Sequence, residues 1–221
     1  MRRLALLSLA LLAAVSAGGP ATAAPMVAND PGRYAPRDDC IRLPGARDFR
    51  AALARVVARR DAAGLADLAD PAIRLDFGGG AGRDTLRRTM SGPEGEARWQ
   101  ALARIMPLGC AVGEGELAMP ALFAQDLGDL DPFDLFLATG ARVPVYAGAD
   151  GSGPPVGTLD WQLVRPLGSS DPRQPFQLVG LIGGDLRGYV ASARLRSPVD
   201  YRLIASRRGG GWKLTTFVAG D

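Results

Sequence analysis

The apolar residues of this chain change their spacing near residue 140, and this change constrains the fold more than any other feature. Before it, Phe49, Leu53 and Val57 recur at helical intervals, with Asp48 placed to cap the helix. After it come short strand candidates separated by loops rich in Gly, Pro, Ser and Asp: 142–146, 156–164, 176–182 and 186–190. The sequence therefore predicts an α+β fold in which helices come first and a β-rich half follows.

The helical half continues into a strand. Asp61 is placed to cap a second short helix, which Pro71 brings to an end. Ile73, Leu75 and Phe77 then alternate with charged residues, a pattern typical of a half-buried strand. We expect Gly78 to Gly82 to form a flexible turn after it, because this segment lacks the lysine of a phosphate-binding loop. No cofactor is predicted.

Three further segments complete this outline. A helix is predicted over 99–105, and 113–139 is interpreted as a connector packed on the core, because Gly and Pro interrupt any long helix there. Residues 200–205 and 211–219, on either side of an Arg-Arg-Gly-Gly turn, predict a C-terminal β-hairpin. Trp212 shares a face with Leu214 and is expected in the core.

The first 23 residues have the features of a secretory signal peptide. Arg2 and Arg3 precede the apolar run 4–15, and Ala21-Thr22-Ala23 supplies small residues for cleavage. The run is shorter than the roughly 20 residues of a membrane span. We therefore expect removal of 1–23, a periplasmic or secreted protein, and no membrane span after cleavage.

Charge argues against a nucleic-acid partner. The chain carries 26 basic and 23 acidic side chains. Without Arg2 and Arg3 the basic count is 24, so the balance is close to neutral. A nucleic-acid-binding protein usually shows a clustered basic excess. The sequence therefore predicts no nucleic-acid partner.

The chain contains no histidine, which removes whole classes of chemistry. Serine and cysteine nucleophiles are commonly activated by imidazole, and many zinc sites are built on it. Carboxylate chemistry remains open, but most hydrolase mechanisms are disfavoured. We therefore expect a protein that is not an enzyme, with no metal site.

Two cysteines, Cys40 and Cys110, are present. In an oxidising compartment an even pair predicts a disulfide, with two unpaired thiols as the alternative. This bond would tie the irregular, proline-rich arm 24–44 to the helical half.

Part of the β-rich half resembles a bacterial SH3-like (SH3b) domain. Four segments carry the resemblance: Val143 to Tyr146, Val156-Gly157-Thr158-Leu159, Gly188-Tyr189-Val190 and Leu195-Arg196-Ser197-Pro198. It implies a small SH3-like β-barrel over 140–199. Family members often have a tryptophan before the third strand, where this chain has Phe176.

The flanking segments are similar to NTF2-like domains. Phe49 to Gly82 looks like the two helices and first strand that open such a domain, and Gly211 to Asp221 looks like its last strand. The resemblance implies a helix-rich α+β domain over 45–139 that 200–221 completes, with the barrel inserted into it.

Aromatic residues of the barrel are the candidate ligand contacts. Tyr146 and Tyr189 are the preferred pair, because a tyrosine ring offers an apolar face and a polar tip. Trp161 could join them, but its alternation with Leu159 and Leu163 favours the core.

Acidic residues give two weaker candidates. Asp76 would lie near the mouth of an NTF2-like cone, as a pocket carboxylate or as a surface acid. Asp126, Asp129, Asp131 and Asp134 miss the spacing of a calcium loop, so a solvated surface with helix capping is favoured over a metal site.

Two functional hypotheses follow. The leading one is an exported, non-enzymatic protein whose SH3-like module binds cell-wall peptide (peptidoglycan) or an envelope protein partner. The alternative is an NTF2-like pocket protein that binds a small apolar ligand, or has carboxylate-based activity, with Asp76 in the pocket. A deep cavity lined by Phe49, Val56, Phe77 and Trp99 would favour the pocket, and a solid core with an exposed aromatic groove would favour binding.

Overall fold

The computed structural model describes residues 28–171 and 173–220 as a mixed α+β molecule. The helices are α1 (Ala46–Arg59), α2 (Ala62–Leu68), α3 (Arg83–Ser91) and α4 (Gly95–Ile105). The strands are β1 (Ala69–Arg74), β2 (Ala111–Gly113), β3 (Glu116–Met119), β4 (Phe136–Ala138), β5 (Val143–Val145), β6 (Gly157–Leu159), β7 (Leu163–Pro166), β8 (Phe176–Leu181), β9 (Arg187–Ala191), β10 (Leu195–Arg196), β11 (Arg202–Arg208) and β12 (Gly211–Val218). The predicted signal peptide, 1–23, lies outside the described residues. Of the helices described, none has the length and apolarity to cross a membrane.

The first sheet joins strands from both ends of the chain. Its order is β1-β12-β11-β3-β2, with β1 parallel to β12 and the remaining pairs antiparallel. The predicted C-terminal hairpin forms its centre, turning at Gly209 and Gly210. As predicted, Trp212 is buried, and its indole N–H donates to the Pro44 carbonyl over 3.0 Å.

Helix α1 buries the face that the sequence predicts. Phe49, Leu53 and Val57 are buried, since residues four apart lie on one side of a helix. The predicted cap at Asp48 is wrong: the helix begins at Ala46 after Gly45, whose φ of +73° favours glycine, and Asp48 lies in the first turn.

Around β1 the prediction is partly confirmed. The Asp61 side chain accepts from the Gly64 N–H and caps α2. However, β1 ends at Arg74, so Ile73 and Leu75 are buried but Phe77 is 48% exposed, contrary to the predicted alternation. The Gly-rich turn then leads into α3, a helix that the sequence analysis did not predict.

The segment 113–139, interpreted as a connector packed on the core, also contains strands that the sequence did not predict. This segment includes β3, which pairs with both β2 and β11, and β4, which belongs to the second sheet. Two 3₁₀ turns, Ala121–Ala124 and Pro132–Asp134, lie between these strands. Leu122 and Leu135 are buried as expected, whereas Phe133 is 58% exposed.

The arm reaches both halves of the described chain. Cys40 and Cys110 form the predicted disulfide, with Cα atoms 5.7 Å apart, and so join the arm to the start of β2. Nearer the N-terminal end of the arm, the Asn29 side chain donates to the carbonyls of Leu163 and Ile182 and accepts from the Leu163 N–H. Side-chain and covalent bonds therefore hold the arm against both sheets.

The second sheet is curled and antiparallel, in the order β10-β4-β7-β8-β9. A hairpin of β5 and β6 adjoins it through the backbone pair Tyr146–Tyr189. A 3₁₀ turn, Ser192–Arg194, separates β9 from β10. The core of the second sheet and its adjoining hairpin is small and aliphatic, formed by Ala138, Val143, Val145, Leu159, Val164, Val179 and Val190.

The strand predicted over 156–164 is interrupted. It divides into β6 and β7 at Trp161, where the backbone turns with a φ of +46°. Leu159 and Leu163 are fully buried, while Trp161 is half-buried in the turn between them. Trp161 nevertheless packs against a buried cluster that includes Leu163, so its ring faces the core as predicted, although the strand does not continue through it.

Candidate functional site

Three aromatic side chains lie together on the outward face of the second sheet; we call Tyr146, Phe176 and Tyr189 the aromatic cluster. All three are half-buried. Tyr146 and Tyr189 are paired residues that exchange two backbone hydrogen bonds of 2.9 and 2.8 Å. Paired residues of antiparallel strands share a face, so both tyrosines lie on the same side of the sheet.

Phe176 joins this face through the pleat of β8. The next residue, Gln177, is buried on the inner side, which leaves Phe176 on the outer side. Its ring meets the ring of Tyr146 edge to face, with centroids 6.0 Å apart, an arrangement that aromatic pairs prefer. The structure thus brings together the two predicted tyrosines and a phenylalanine that was not among the predicted contacts.

Two glycines make this cluster possible. A Cβ atom on Gly188 would lie 2.5 Å from the Tyr146 carbonyl oxygen, and one on Gly151 would lie 2.1 Å from the Phe176 ring. Gly188 therefore allows the close approach of the Tyr146 backbone. Gly151 allows the ring of Phe176 to pack directly on the loop that follows Tyr146.

Trp161 is not part of the aromatic cluster. Its carbonyl accepts from the Tyr34 N–H over 3.1 Å, so the arm holds this turn in place. Its side chain lies beside Leu108, which follows α4, and beside Arg196. Of the three predicted barrel aromatics, the structure therefore brings together Tyr146 and Tyr189 and places Trp161 elsewhere.

Asp76 is exposed and accepts a hydrogen bond from the Gly80 N–H over 2.6 Å, which closes the Gly-rich turn. It also lines an open cleft of about 190 Å³ together with Arg98 and Tyr201. The carboxylate thus stabilises local backbone and faces a cleft.

The four side chains that were expected to line one deep cavity do not lie around a common cavity. Phe49 and Trp99 are in the packed core of the first sheet, and Phe77 is exposed. Val56 lines a separate shallow cleft on α1 and α2, beside Ala52 and Leu68.

The acidic segment behaves as turn-forming surface. Asp126 accepts from the Gly128 N–H, and Asp131 accepts from the Phe133 N–H at the start of a 3₁₀ turn. Such short-range bonds to backbone N–H groups are a common role for aspartate in turns. Asp131 therefore caps a 3₁₀ helix as predicted, whereas Asp126 stabilises a turn that lies outside any helix.

Comparison with known proteins does not assign a family to this chain. No protein-family model and no curated protein matches the chain. Among solved structures, a designed NTF2-like protein is similar with a TM-score of 0.26 and 14% identity, over 79% of this chain and 96% of that chain. A TM-score this low does not assign a fold.

Proposed function

We propose that this protein is an exported, non-catalytic binding protein whose second sheet is an SH3-like module for cell-wall peptide or for a peptide segment of an envelope protein. The single observation that carries the proposal is the aromatic cluster. It presents half-exposed rings on a backbone that strand pairing fixes, so little conformational entropy is lost when a ligand binds.

The strand arrangement supports an SH3-like module. The hairpin of β5 and β6 lies between the first strand of the sheet, β4, and its second, β7. The 3₁₀ turn Ser192–Arg194 precedes β10, which returns to pair with β4. A short 3₁₀ turn after the Gly-Tyr-Val strand is what the resemblance to SH3b domains implies.

The aromatic cluster also favours a peptide as the ligand. Tyrosine and phenylalanine rings offer apolar area, and the tyrosine hydroxyl adds a polar tip that can bond to a peptide backbone. The loop 147–156 packs against Phe176 through Gly151 and forms one wall of this face.

Export is supported by the disulfide. Disulfides persist in oxidising compartments and are rare in reducing ones. The Cys40–Cys110 bond is therefore consistent with a protein that works in the periplasm or outside the cell.

Binding is tested with purified protein lacking 1–23, against insoluble peptidoglycan and against immobilised envelope extract. We expect Tyr146→Ala and Tyr189→Ala each to weaken binding by about fivefold or more, since truncating a real aromatic contact costs above about 1 kcal/mol. Phe133→Ala is the matched control, because Phe133 is a 58% exposed aromatic outside the aromatic cluster.

Melting temperatures separate contact from folding. A steep loss of melting temperature in both tyrosine variants would make the rings structural and would contradict the proposal. Binding by stable variants that equals binding by the unmodified protein would contradict the proposal as well. So would a failure of the unmodified protein to bind either material.

The cleft at Asp76 favours a second candidate, a pocket that binds a small ligand. Asp76 and Arg98 would supply charge and Tyr201 an apolar wall. A thermal-shift screen of small apolar acids tests this function, with Arg98→Ala as the variant that should abolish any shift. Shifts that survive in this variant would place the ligand elsewhere.

A further inference from the structure

A groove separates the end of α4 from the second sheet, away from the aromatic cluster. Its volume is about 560 Å³, and it is lined on one side by Arg104 and Leu108 and on the other by Trp161, Arg194, Leu195 and Arg196. None of the three rings of the aromatic cluster lines it.

Positive charge dominates this groove. Arg196 is 7% exposed and pairs with Asp200 over 3.0 Å. Burial lowers the pKa of the Arg196 guanidinium, Asp200 raises it, and the charge of Arg104 lowers it further. Because Asp200 offsets only one arginine, the charges of Arg104 and Arg194 remain in excess.

Arg104 and Arg194 are available to a ligand. Both are exposed. Within residues 28–171 and 173–220, no acidic side chain forms an ion pair with either of them. Arginine side chains bind carboxylate and phosphate oxygens with two parallel hydrogen bonds, which favours this kind of group over a simple halide.

Trp161 supplies an apolar wall whose position is fixed. The backbone N–H of Trp161 donates to the Gly140 carbonyl over 3.1 Å, and the Trp161 carbonyl accepts from the backbone N–H of Tyr34. The φ of Trp161 is +46°. A non-glycine residue adopts this conformation only where its surroundings impose it. Leu108 and Leu195 continue the apolar surface beside the indole ring.

We propose that this groove binds an organic anion with an apolar body, whose charged oxygen group is held by Arg104 and Arg194 and whose body packs on Trp161. The shared ligand chemistry is an anionic carboxylate or phosphate on an aliphatic chain. The site is separate from the aromatic cluster, so it stands whether or not that cluster binds peptide.

Tryptophan fluorescence reports on this groove, because Trp99 and Trp212 are only 5% and 7% exposed while Trp161 is half-buried at its wall. The probes are octanoate, octyl phosphate and the uncharged octanamide, titrated below their aggregation limits. We expect at least one of the two anions to shift the emission at about tenfold lower concentration than octanamide. Whichever anion binds more tightly identifies the oxygen group.

Calorimetric titration with the tighter anion tests the residues. The double variant Arg104→Ala, Arg194→Ala should bind about tenfold more weakly, and 0.5 M salt should weaken binding to the unmodified protein through screening. Arg87→Ala is the control, because Arg87 is an exposed arginine of α3 outside the groove. Its binding should not change.

Three results would overturn the proposal. Equal binding of octanamide would make the groove an apolar site without anion selectivity. Unchanged affinity of a folded double variant would remove the arginines from the site. No response to either anion would show that the groove binds neither carboxylate nor phosphate on an aliphatic chain.

Discussion

At the scale of single residues, the backbone of the arm approaches closely at Gly109, just before β2. Its φ is +76°, and a Cβ atom there would lie 2.2 Å from the Arg37 carbonyl oxygen. The Cys110 N–H next to it donates to that same oxygen over 2.8 Å. A side chain at residue 109 would collide with the arm backbone. The arm would then have to move away from Gly109, although the disulfide at the neighbouring Cys110 holds it there.

We expect Gly109→Ala to lower the free energy of unfolding by about 3 kcal/mol, from backbone strain together with the steric contact. Gly113→Ala is the control, since its Cβ would meet no atom within 4 Å, and it should change stability by less than about 0.5 kcal/mol. Urea unfolding measures both variants. Equal stability of the two would contradict the role assigned to Gly109.

Tyr34 gives a second prediction, on pH dependence. Its side chain is 2% exposed, and burial raises the pKa of its hydroxyl above the ordinary value of 10.0. The unfolded chain then loses this proton before the folded one, so the free energy of unfolding is unaffected below about pH 10 and falls as the pH rises further.

Tyr34→Phe should remove this part of the alkaline loss. Stability curves of the variant and the unmodified protein, measured by urea unfolding between about pH 8 and pH 11, should converge as the pH rises. Curves that stay parallel over this range would show that Tyr34 does not contribute to the loss. The comparison is made at each pH, because the variant also lacks the hydrogen bond to the Ala28 carbonyl.

Residue chemistry explains which local predictions succeeded. Asp61 could be predicted as a cap because an aspartate directly before a helical pattern has a specific role. The core-facing side of Trp161 could be predicted, but its turn could not, because the positive φ accompanies backbone hydrogen bonds to Tyr34 and Gly140, which are distant in sequence. Asp48 was wrongly predicted as a cap because Gly45 begins the helix earlier.

At the scale of elements, the strands β2, β3 and β4 are the ones that sequence could not reveal. They have three or four residues each and lie among Gly and Pro residues that interrupt the apolar pattern, whereas the equally short β5 and β6 follow a recognisable strand pattern. Partners from distant segments stabilise them: β3 pairs with β11, and β4 pairs with β7 and β10. The hairpin of β11 and β12 is longer and its strands are close in sequence, so it could be predicted.

The disulfide gives a prediction at this scale. It closes a loop of sequence separation 70 and joins the arm to β2. The variant Cys40→Ser, Cys110→Ser should lose about 4 kcal/mol in the chain-entropy model. Urea unfolding of the unmodified protein in strong reductant should reproduce the loss, and equal stability with and without reductant would contradict it.

At the N-terminal end of the described arm, the Asn29 side chain makes three of the hydrogen bonds to the second sheet. Asn29 makes two donated and one accepted hydrogen bond to the backbone at Leu163 and Ile182. Asn29→Ala should destabilise this contact by about 2 kcal/mol, because the buried backbone groups lose their partners. Amide hydrogen exchange at Gly32 and Tyr34 should become faster, while exchange at Asp39 beside the disulfide should not change.

At the scale of the whole molecule, the α+β class follows from the sequence, whereas the composition of the candidate site follows only in part. Tyr146 and Tyr189 belong to recognisable strand candidates, but their pairing depends on how the β5–β6 hairpin lies against β9. Phe176 joins them through the packing of its ring on Gly151. The groove lined by Arg104 and Arg194 lies between α4 and the second sheet, and no local pattern predicts that these elements face each other.

The second sheet lies, along the chain, between two strands that are neighbours in the first. The chain leaves β3 at Met119 and enters β11 at Arg202, and the next residue, Leu203, is directly paired with Met119. Exit and re-entry points this close mean that evolution, or an engineer, can exchange the whole intervening segment as a cassette. A tight turn spliced in its place would convert β3 and β11 into an ordinary hairpin, and a foreign fold with adjacent termini could be carried at the same junction.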